Sequence, residues 1–120
     1  FSFLTGNNDM HLKNFSMIES TSGWVLSPAY DLLNVSIVLP DDTEELALTL
    51  GGKKRKIKRE HFEIFGEGLG LTPRQIKGAF NRMVSNKPVA TRWIDHSFLS
   101  NTMKAAYNEV IKQRYEQLKL

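Results

Sequence analysis

The spacing of apolar residues changes near Lys58, and this change limits the folds that the chain can adopt. After Lys58 apolar residues recur every three or four positions, as they do along one face of an α-helix. Gly70 follows this first stripe, where a glycine commonly ends a helix. The stripe consists of Phe62, Phe65, Leu69 and Leu71.

More helices are predicted further along the chain. Thr72 and Gln75 have the spacing of a capping box, and Pro73 between them suits the first helical position. This helix is expected to bury Ile76 and to end near residue 86. Pro88 is expected to open another helix, because proline has no N–H to donate inside one. The predicted ranges are 72–86, 88–98 and 101–119.

The first half of the chain has turn residues and short apolar runs instead. Residues 5–14 are rich in Gly, Asn and Asp and predict a loop. Residues 15–19 and 24–26 flank a Ser-Thr-Ser-Gly turn and predict a β-hairpin. Alternating leucines over residues 46–50 predict a short strand before Gly51-Gly52.

The predicted fold is mainly α. A helical bundle over 58–120 carries one or two small β-hairpins, and the loops and hairpin of 1–50 lie against it. At 120 residues the chain is long enough for one modest core, so residues 1–120 are expected to form a single domain.

Composition excludes several classes of protein. The chain has no cysteine, which excludes disulfides, zinc fingers and thiol catalysis. No apolar run approaches 18 residues, so a membrane-spanning helix and a membrane partner are not expected. The cytoplasm is the default compartment for such a chain. Trp24 and Trp93 are expected to lie in the core rather than to stack on bases.

Charge is unevenly distributed. Residues 1–50 contain seven acids and one lysine, for a net charge of −6, whereas residues 51–120 have a net charge of +9. The acidic part could serve a divalent cation, and the basic part could face phosphate, nucleic acid or an acidic partner. The simpler interpretation is a solvated surface.

Three oxygen-bearing side chains carry the most specific chemical signal. Asp9 and Asn14 have the Asp-x-x-x-x-Asn spacing of a kinase catalytic loop, and Asp31 follows the predicted hairpin. In such a site one aspartate accepts a hydrogen bond from the attacking hydroxyl. An asparagine oxygen and a second aspartate hold Mg²⁺ on the phosphates. The hairpin would bring Asp31 back beside Asn14.

Each of these residues also has a structural interpretation. Asp9 and Asn14 could cap the loop, and Asp31 could cap a helix that begins at Leu32. His11 could be a structural histidine beside Asp9. Lys13 could be simply exposed, or it could supply a cation near the transferred phosphoryl group.

Two segments resemble HipA-like serine/threonine protein kinases. Phe3–Ser16 looks like the catalytic loop of that family, and Ser27–Leu33 looks like its metal-binding segment. The resemblance implies a two-lobed kinase-like fold, with this chain in the mainly helical C-terminal lobe. By position it implies that Asp9 is the catalytic base, assisted by Lys13, and that Asn14 and Asp31 hold Mg²⁺. His11, Lys13 and Tyr30 would lie near the ATP.

The resemblance also implies a biological role. HipA-like kinases are toxins of bacterial toxin–antitoxin pairs and are linked to growth arrest and persistence. The expected partner is a small DNA-binding antitoxin, through which DNA would be contacted only indirectly. An aminoacyl-tRNA synthetase is one expected kind of protein substrate.

Other functions stay open at this point. Phosphoinositide kinases and aminoglycoside phosphotransferases share the Asp-x-His-x-x-Asn pattern. Residues 60–84 also fit a DNA-binding helix-turn-helix, with a second helix that carries Arg74, Lys77 and Arg82.

The chain lacks features expected of an N-terminal kinase lobe. It has no glycine-rich phosphate loop on a strand and no strand lysine with a helix glutamate to pair it. It also begins inside the motif's leading segment. We therefore expect a C-terminal piece of a kinase, which has no measurable kinase activity by itself.

Overall fold

The computed structural model describes residues 1–120, and it contains three α-helices and one two-stranded antiparallel hairpin. Short 3₁₀ turns lie at Leu12–Asn14 and Val35–Ile37. The mainly α fold with a small hairpin is therefore confirmed. The elements in chain order are β1 (Met17–Ser20), β2 (Gly23–Leu26), α1 (Arg59–Gly68), α2 (Pro73–His96) and α3 (Asn101–Gln117).

The predicted hairpin forms where the turn residues place it. Met17 pairs with Leu26 and Ser20 pairs with Gly23, which adopts a positive φ of 102°. This conformation costs glycine little, because it has no Cβ. The hairpin returns the chain toward the loop that precedes it.

No strand forms over residues 46–50, so that prediction is wrong. Only Leu50 forms a bridge, with Lys53 across the Gly51-Gly52 turn. Leu46 packs against the core whereas Leu48 is exposed, so the alternating leucines do not share one buried face. A regular ladder would need such a face to fix its register.

The boundary between α1 and α2 follows the predicted capping residues. Leu71 N–H donates to Gly66 O at 3.0 Å and Gly70 N–H donates to Glu67 O at 2.9 Å, which is a Schellman motif. Gly70 supplies the positive φ of 77° that this motif requires. Thr72 and Gln75 then form the predicted capping box of α2.

Two predicted helices are in fact one, because α2 runs through Pro88 without ending. A proline removes one backbone donor, so it leaves the Val84 carbonyl without its helical partner. Two side-chain hydrogen bonds lie close to this point, although neither of them reaches Val84 O. Tyr115 of α3 donates to Met83 O at 2.7 Å, and Asn86 Nδ2 donates to Arg82 O at 2.8 Å. The helix nevertheless continues through Pro88, and α3 packs beside it.

The hydrophobic core joins the start of the chain to α2 and α3. Phe62, Phe80 and Met83 pack against its edge as half-buried residues. None of the three helices combines the length and the apolar character that crossing a bilayer requires. The buried members of the core are Phe3, Leu4, Leu50, Ile57, Ile94, Ile111, Tyr115 and Leu118.

Several apolar residues expected in the core lie at the surface. Trp24 is 68% exposed and Trp93 is 73% exposed, so their predicted burial is wrong. Trp24 is exposed because no element of this chain covers that face of the hairpin. Phe65 and Leu69 of the α1 stripe are exposed as well, and both line an apolar cavity of about 220 Å³ with Phe62.

Candidate active site

The loop that carries Asp9 is fixed to the helical half before it reaches the aspartate. Phe3 and Leu4 are buried in the core, and Gly6 follows with a φ of 70°. The Gly6 carbonyl accepts hydrogen bonds from the backbone N–H and the side-chain hydroxyl of Ser36, both at 3.1 Å. A Cβ at Gly6 would lie 2.7 Å from Asn34 Oδ1, so only glycine allows this approach.

Asn14 and Asp31 meet at the base of the hairpin. Asn14 Nδ2 donates to Asp31 Oδ2 at 2.8 Å, across 17 positions of sequence. Asn14 is buried, whereas Asp31 is exposed and has a positive φ of 55°. Asp31 does not cap a helix at Leu32, because the next helical turn begins at Val35 and is capped by Asn34.

Asp9 joins this pair through its backbone. Asn14 Nδ2 also donates to Asp9 O at 3.3 Å, and Asp9 N–H donates to Asn7 Oδ1 at 3.2 Å. The Asp9 side chain is 67% exposed, so its carboxylate faces solvent while its backbone is held. The structure therefore brings the three predicted oxygen-bearing residues into one cluster.

His11, Lys13 and Tyr30 surround the cluster. His11 Nε2 lies 4.0 Å from Asp9 Oδ1, and His11 Nδ1 is buried without a hydrogen-bond partner. Tyr30 donates its hydroxyl to Lys13 O at 3.1 Å. Lys13 is exposed, and no carboxylate lies within ion-pair distance of its ammonium group.

Asn7 belongs to the same cluster, although its sequence position did not single it out. It is 2% exposed, and its Nδ2 donates to Asp31 O at 3.1 Å. In the sequence it is one of several turn-forming residues of the loop, and that role gives no sign of a contact 24 positions away. Met10 contributes its sulfur atom, which lies 3.9 Å from the Nδ2 atoms of both Asn7 and Asn14.

The donor set of the cluster fits Mg²⁺. Both Nδ2 hydrogens of Asn14 point to protein oxygens, so its Oδ1 remains available as a ligand. Asp31 adds a carboxylate oxygen. Mg²⁺ prefers oxygen ligands and usually takes only one or two from the protein, with water and phosphate completing the octahedron. No group of three or more His, Cys, Asp or Glu residues in the chain is arranged to hold a metal ion, so the cluster offers only the Asn14 amide oxygen and the Asp31 carboxylate.

The basic part of the chain is partly neutralised. Lys54 Nζ lies 2.9 Å from Glu44 Oε2, and Arg59 Nε lies 2.8 Å from Glu63 Oε1. α1 and α2 are joined by a short turn, as in a helix-turn-helix, and Arg74 in the first turn of α2 is exposed. An exposed basic face is also ordinary for a bundle helix, so DNA binding at residues 60–84 stays a prediction.

Comparison with known proteins identifies the family. Residues 1–93 match the HipA-like C-terminal domain. The chain is 32% identical over 92 residues to the serine/threonine-protein kinase toxin HipA of Shewanella oneidensis, covering 75% of this chain and 21% of that protein. It is also 32% identical over 82 residues to "Putative kinase Y4mE" of Sinorhizobium fredii, covering 63% of this chain and 19% of that protein.

The chain thus spans about one fifth of the length of these curated relatives. The family match includes the whole cluster around Asp9, Asn14 and Asp31, together with the hairpin, α1 and most of α2. The chain belongs to the HipA-like C-terminal domain family.

Proposed function

We propose that this chain is the C-terminal catalytic part of a HipA-like serine/threonine kinase, which transfers the γ-phosphoryl group of ATP to a protein hydroxyl. The observation that carries the proposal is the 2.8 Å contact between Asn14 Nδ2 and Asp31 Oδ2, made by an amide that also binds Asp9 O. Kinase chemistry needs a base beside two metal ligands, and these are the residue types in the cluster.

Asp9 acts as the base in this proposal. Its carboxylate is exposed enough to reach a substrate hydroxyl, while Asn7 and Asn14 hold its backbone from either side. A base held in this way orients the hydroxyl and accepts its proton as the phosphoryl group is transferred. Positioning is a major part of catalysis in phosphoryl transfer, because the enzyme forms no covalent intermediate in these reactions.

Asn14 and Asp31 hold Mg²⁺ in this proposal, through Asn14 Oδ1 and the Asp31 carboxylate. When bound, Mg²⁺ neutralises charge on the phosphates of ATP. Lys13 adds a cation beside them, and its exposed ammonium has no competing carboxylate. Tyr30 donates its hydroxyl to Lys13 O and His11 Nε2 lies 4.0 Å from Asp9 Oδ1, so both residues would lie near the bound ATP in this proposal.

The surface of the chain supports a function within a larger protein. Its accessible surface is 8602 Å², whereas a compact chain of this mass exposes about 6,600 Å². Its radius of gyration is 15.4 Å, against about 13.6 Å for a compact domain of this length. Exposed hairpin residues such as Trp24 and Leu26 contribute to the excess. We propose that a nucleotide-binding lobe covers part of this surface.

The toxin role, the cytoplasmic location and the partners are also proposals. The relative from Shewanella oneidensis is named as a toxin, which supports a DNA-binding antitoxin as a partner. A protein substrate, such as an aminoacyl-tRNA synthetase, follows from the same resemblance.

The test is ATP-dependent phosphorylation by a polypeptide that contains this chain together with its nucleotide-binding lobe. Asp9→Asn and Asp31→Asn should each lower the rate at least about 100-fold. Asp41→Asn is the matched control, since Asp41 is an exposed acid outside the cluster. Full activity in the Asp9 variant would exclude Asp9 as the base.

The choice of substrate separates this proposal from the related kinases. Transfer to a protein hydroxyl is expected, and transfer only to a phosphoinositide or an aminoglycoside would contradict it. The chain of 120 residues alone should show no transfer above background.

A further inference from the structure

Asn7 is buried between the two aspartates of the candidate site and binds both of them. Its Oδ1 accepts from Asp9 N–H at 3.2 Å, and its Nδ2 donates to Asp31 O at 3.1 Å. We infer that Asn7 is a positioning residue, which fixes the metal ligand Asp31 relative to the base Asp9. This inference rests on the proposed kinase function.

Asn7 and Asn14 divide the contacts to the aspartates between them. Asn14 binds the Asp31 carboxylate and the Asp9 carbonyl, whereas Asn7 binds the Asp31 carbonyl and the Asp9 N–H. The Asp31 side chain is therefore held by one amide and its backbone by the other. Asn14 has a proposed ligand role of its own, but Asn7 has both ends of its amide committed to the backbone.

Asp31 needs such support because of its conformation. Its φ of 55° lies in the left-handed region, which is unfavourable for a residue with a Cβ. It is exposed and lies outside every helix and strand. The bonds from Asn7 and Asn14 are the only hydrogen bonds that reach it. Without Asn7, the backbone at Asp31 is free to relax and to carry the carboxylate away from Asn14.

The inference predicts a specific kinetic defect. Residues that orient metal ligands typically change metal affinity or activity by about 10–100-fold when they are replaced. In the polypeptide with its nucleotide-binding lobe, Asn7→Ala should raise the Mg²⁺ concentration for half-maximal rate by about that factor. Excess Mg²⁺ should restore part of the rate, because Asp9 keeps its bond to Asn14. A merely structural role would not shift the Mg²⁺ requirement.

Asn8 provides the matched control. It is the next residue, it is also buried, and its Nδ2 donates to Asp42 Oδ2 at 2.9 Å and to Glu44 O at 3.0 Å. Asn8→Ala thus removes buried hydrogen bonds without touching Asp9 or Asp31, and should leave the Mg²⁺ requirement unchanged. An equal Mg²⁺ requirement in the Asn7 and Asn8 variants would overturn the inference.

A second variant and a second measurement keep the inference testable if Asn7→Ala does not fold. Asn7→Ser keeps a hydrogen-bonding group in the buried position without adding a charge, and it should give an intermediate Mg²⁺ requirement. In NMR spectra of the 120-residue chain, the Asp31 backbone amide and the Asn14 side-chain amide should shift in this variant but not in Asn8→Ala. If these signals did not shift, the inference that Asn7 positions Asp31 would be contradicted.

The NMR result does not depend on catalysis. If the wild-type protein transfers no phosphoryl group, the proposed function fails, whereas the NMR comparison still decides whether Asn7 sets the position of Asp31.

Discussion

Gly6 shows how one residue can set the position of the loop that carries Asp9. Its φ of 70° disfavours side chains, and an added Cβ would lie 2.7 Å from Asn34 Oδ1 and 2.9 Å from Val110 Cγ1. Backbone strain of about 1–2 kcal/mol and overpacking of about 1–3 kcal/mol should both apply. We expect Gly6→Ala to lower the free energy of unfolding by about 2–5 kcal/mol in urea titrations.

Gly51 is the control, because its φ is also positive but no atom lies where an added Cβ would go. Its φ is 57°, and a Cβ there would meet nothing within 4 Å. Gly51→Ala should therefore cost only the backbone strain, about 1–2 kcal/mol. Equal losses in the two variants would mean that the close approach of Asn34 to Gly6 is unimportant.

At the residue scale the sequence predicted that Asp9, Asn14 and Asp31 lie together, but it did not predict the contacts that support them. The spacing of Asp9 and Asn14 and the hairpin before Asp31 are local features, so they can be read from the chain. The contacts of Asn7 join residues 24 positions apart. No local pattern encodes such a pairing, because an asparagine in a loop satisfies the same sequence preferences whether or not its amide is buried.

At the element scale, α2 shows where local signals fail. Its start was predictable because the capping residues act within one turn, whereas no local signal indicates that it continues through Pro88, beside the contact of Tyr115 with Met83 O. Replacement of Pro88 by alanine should restore a backbone donor toward Val84 O. Because proline is about 3 kcal/mol less favourable than alanine inside a helix, we expect a gain of about 1–3 kcal/mol in unfolding free energy.

Ser85→Ala is the control for Pro88→Ala. Ser85 is an exposed residue of α2 and keeps its backbone donor, so its replacement changes helix propensity alone, by less than about 0.7 kcal/mol. A Pro88→Ala gain no larger than this would show that the helix bears no cost at the proline.

Tyr115 links α3 to α2 and should make their packing sensitive to alkaline pH. Its hydroxyl donates to Met83 O at 2.7 Å, and burial raises the pKa of this hydroxyl above its usual value near 10. A raised pKa means that the folded state retains the proton longer than the unfolded state. The corresponding stability is complete below about pH 10 and is lost as pH rises through the folded-state pKa.

Tyr115→Phe tests both consequences of this hydrogen bond. It should lower the free energy of unfolding by about 1–2 kcal/mol at pH 8, since Met83 O loses its donor. The difference in unfolding free energy between the variant and the wild type should become smaller above pH 10. Burial also raises the pKa of Tyr107, so part of the alkaline loss should persist in the variant. A difference that stays constant up to pH 11 would exclude Tyr115 as a titrating contributor.

At the scale of the whole molecule, the two halves that differ in sequence pattern share one core. Phe3 and Leu4 pack with Ile111 and Leu118 across more than a hundred positions. The sequence predicted a division near residues 50–58 from the change in periodicity. The hairpin lies before this division and all three α-helices lie after it. The sequence could not predict which loop residues join the two halves, because the joining contacts form only when both halves are folded.

Glu45 is the main polar anchor between the halves. Its Oε1 lies 2.8 Å from Arg114 Nη1, and its Oε2 accepts from Ile57 N–H at 2.8 Å. Gln117 Nε2 donates to the same carboxylate at 3.0 Å. The Glu45 and Arg114 side chains are only 14% and 16% exposed, and Ile57 is fully buried. Loss of the carboxylate would leave a mostly buried cation and a buried N–H unpaired.

Glu45→Ala should therefore cost about 3–5 kcal/mol of unfolding free energy, as removal of one partner of a buried ion pair does. Glu45→Gln should cost less, because its amide oxygen can still accept from Ile57 N–H.

Glu44→Ala is the control, since Glu44 pairs with Lys54 at 2.9 Å near the surface, where a pair contributes less than about 1 kcal/mol. The small Glu44 effect should shrink further in 1 M salt, whereas the Glu45 effect should persist, because salt screens exposed charges far more than buried ones. If the Glu45 and Glu44 losses were equal and equally sensitive to salt, the attachment of residues 1–50 to the helices would have to rest on the apolar core alone.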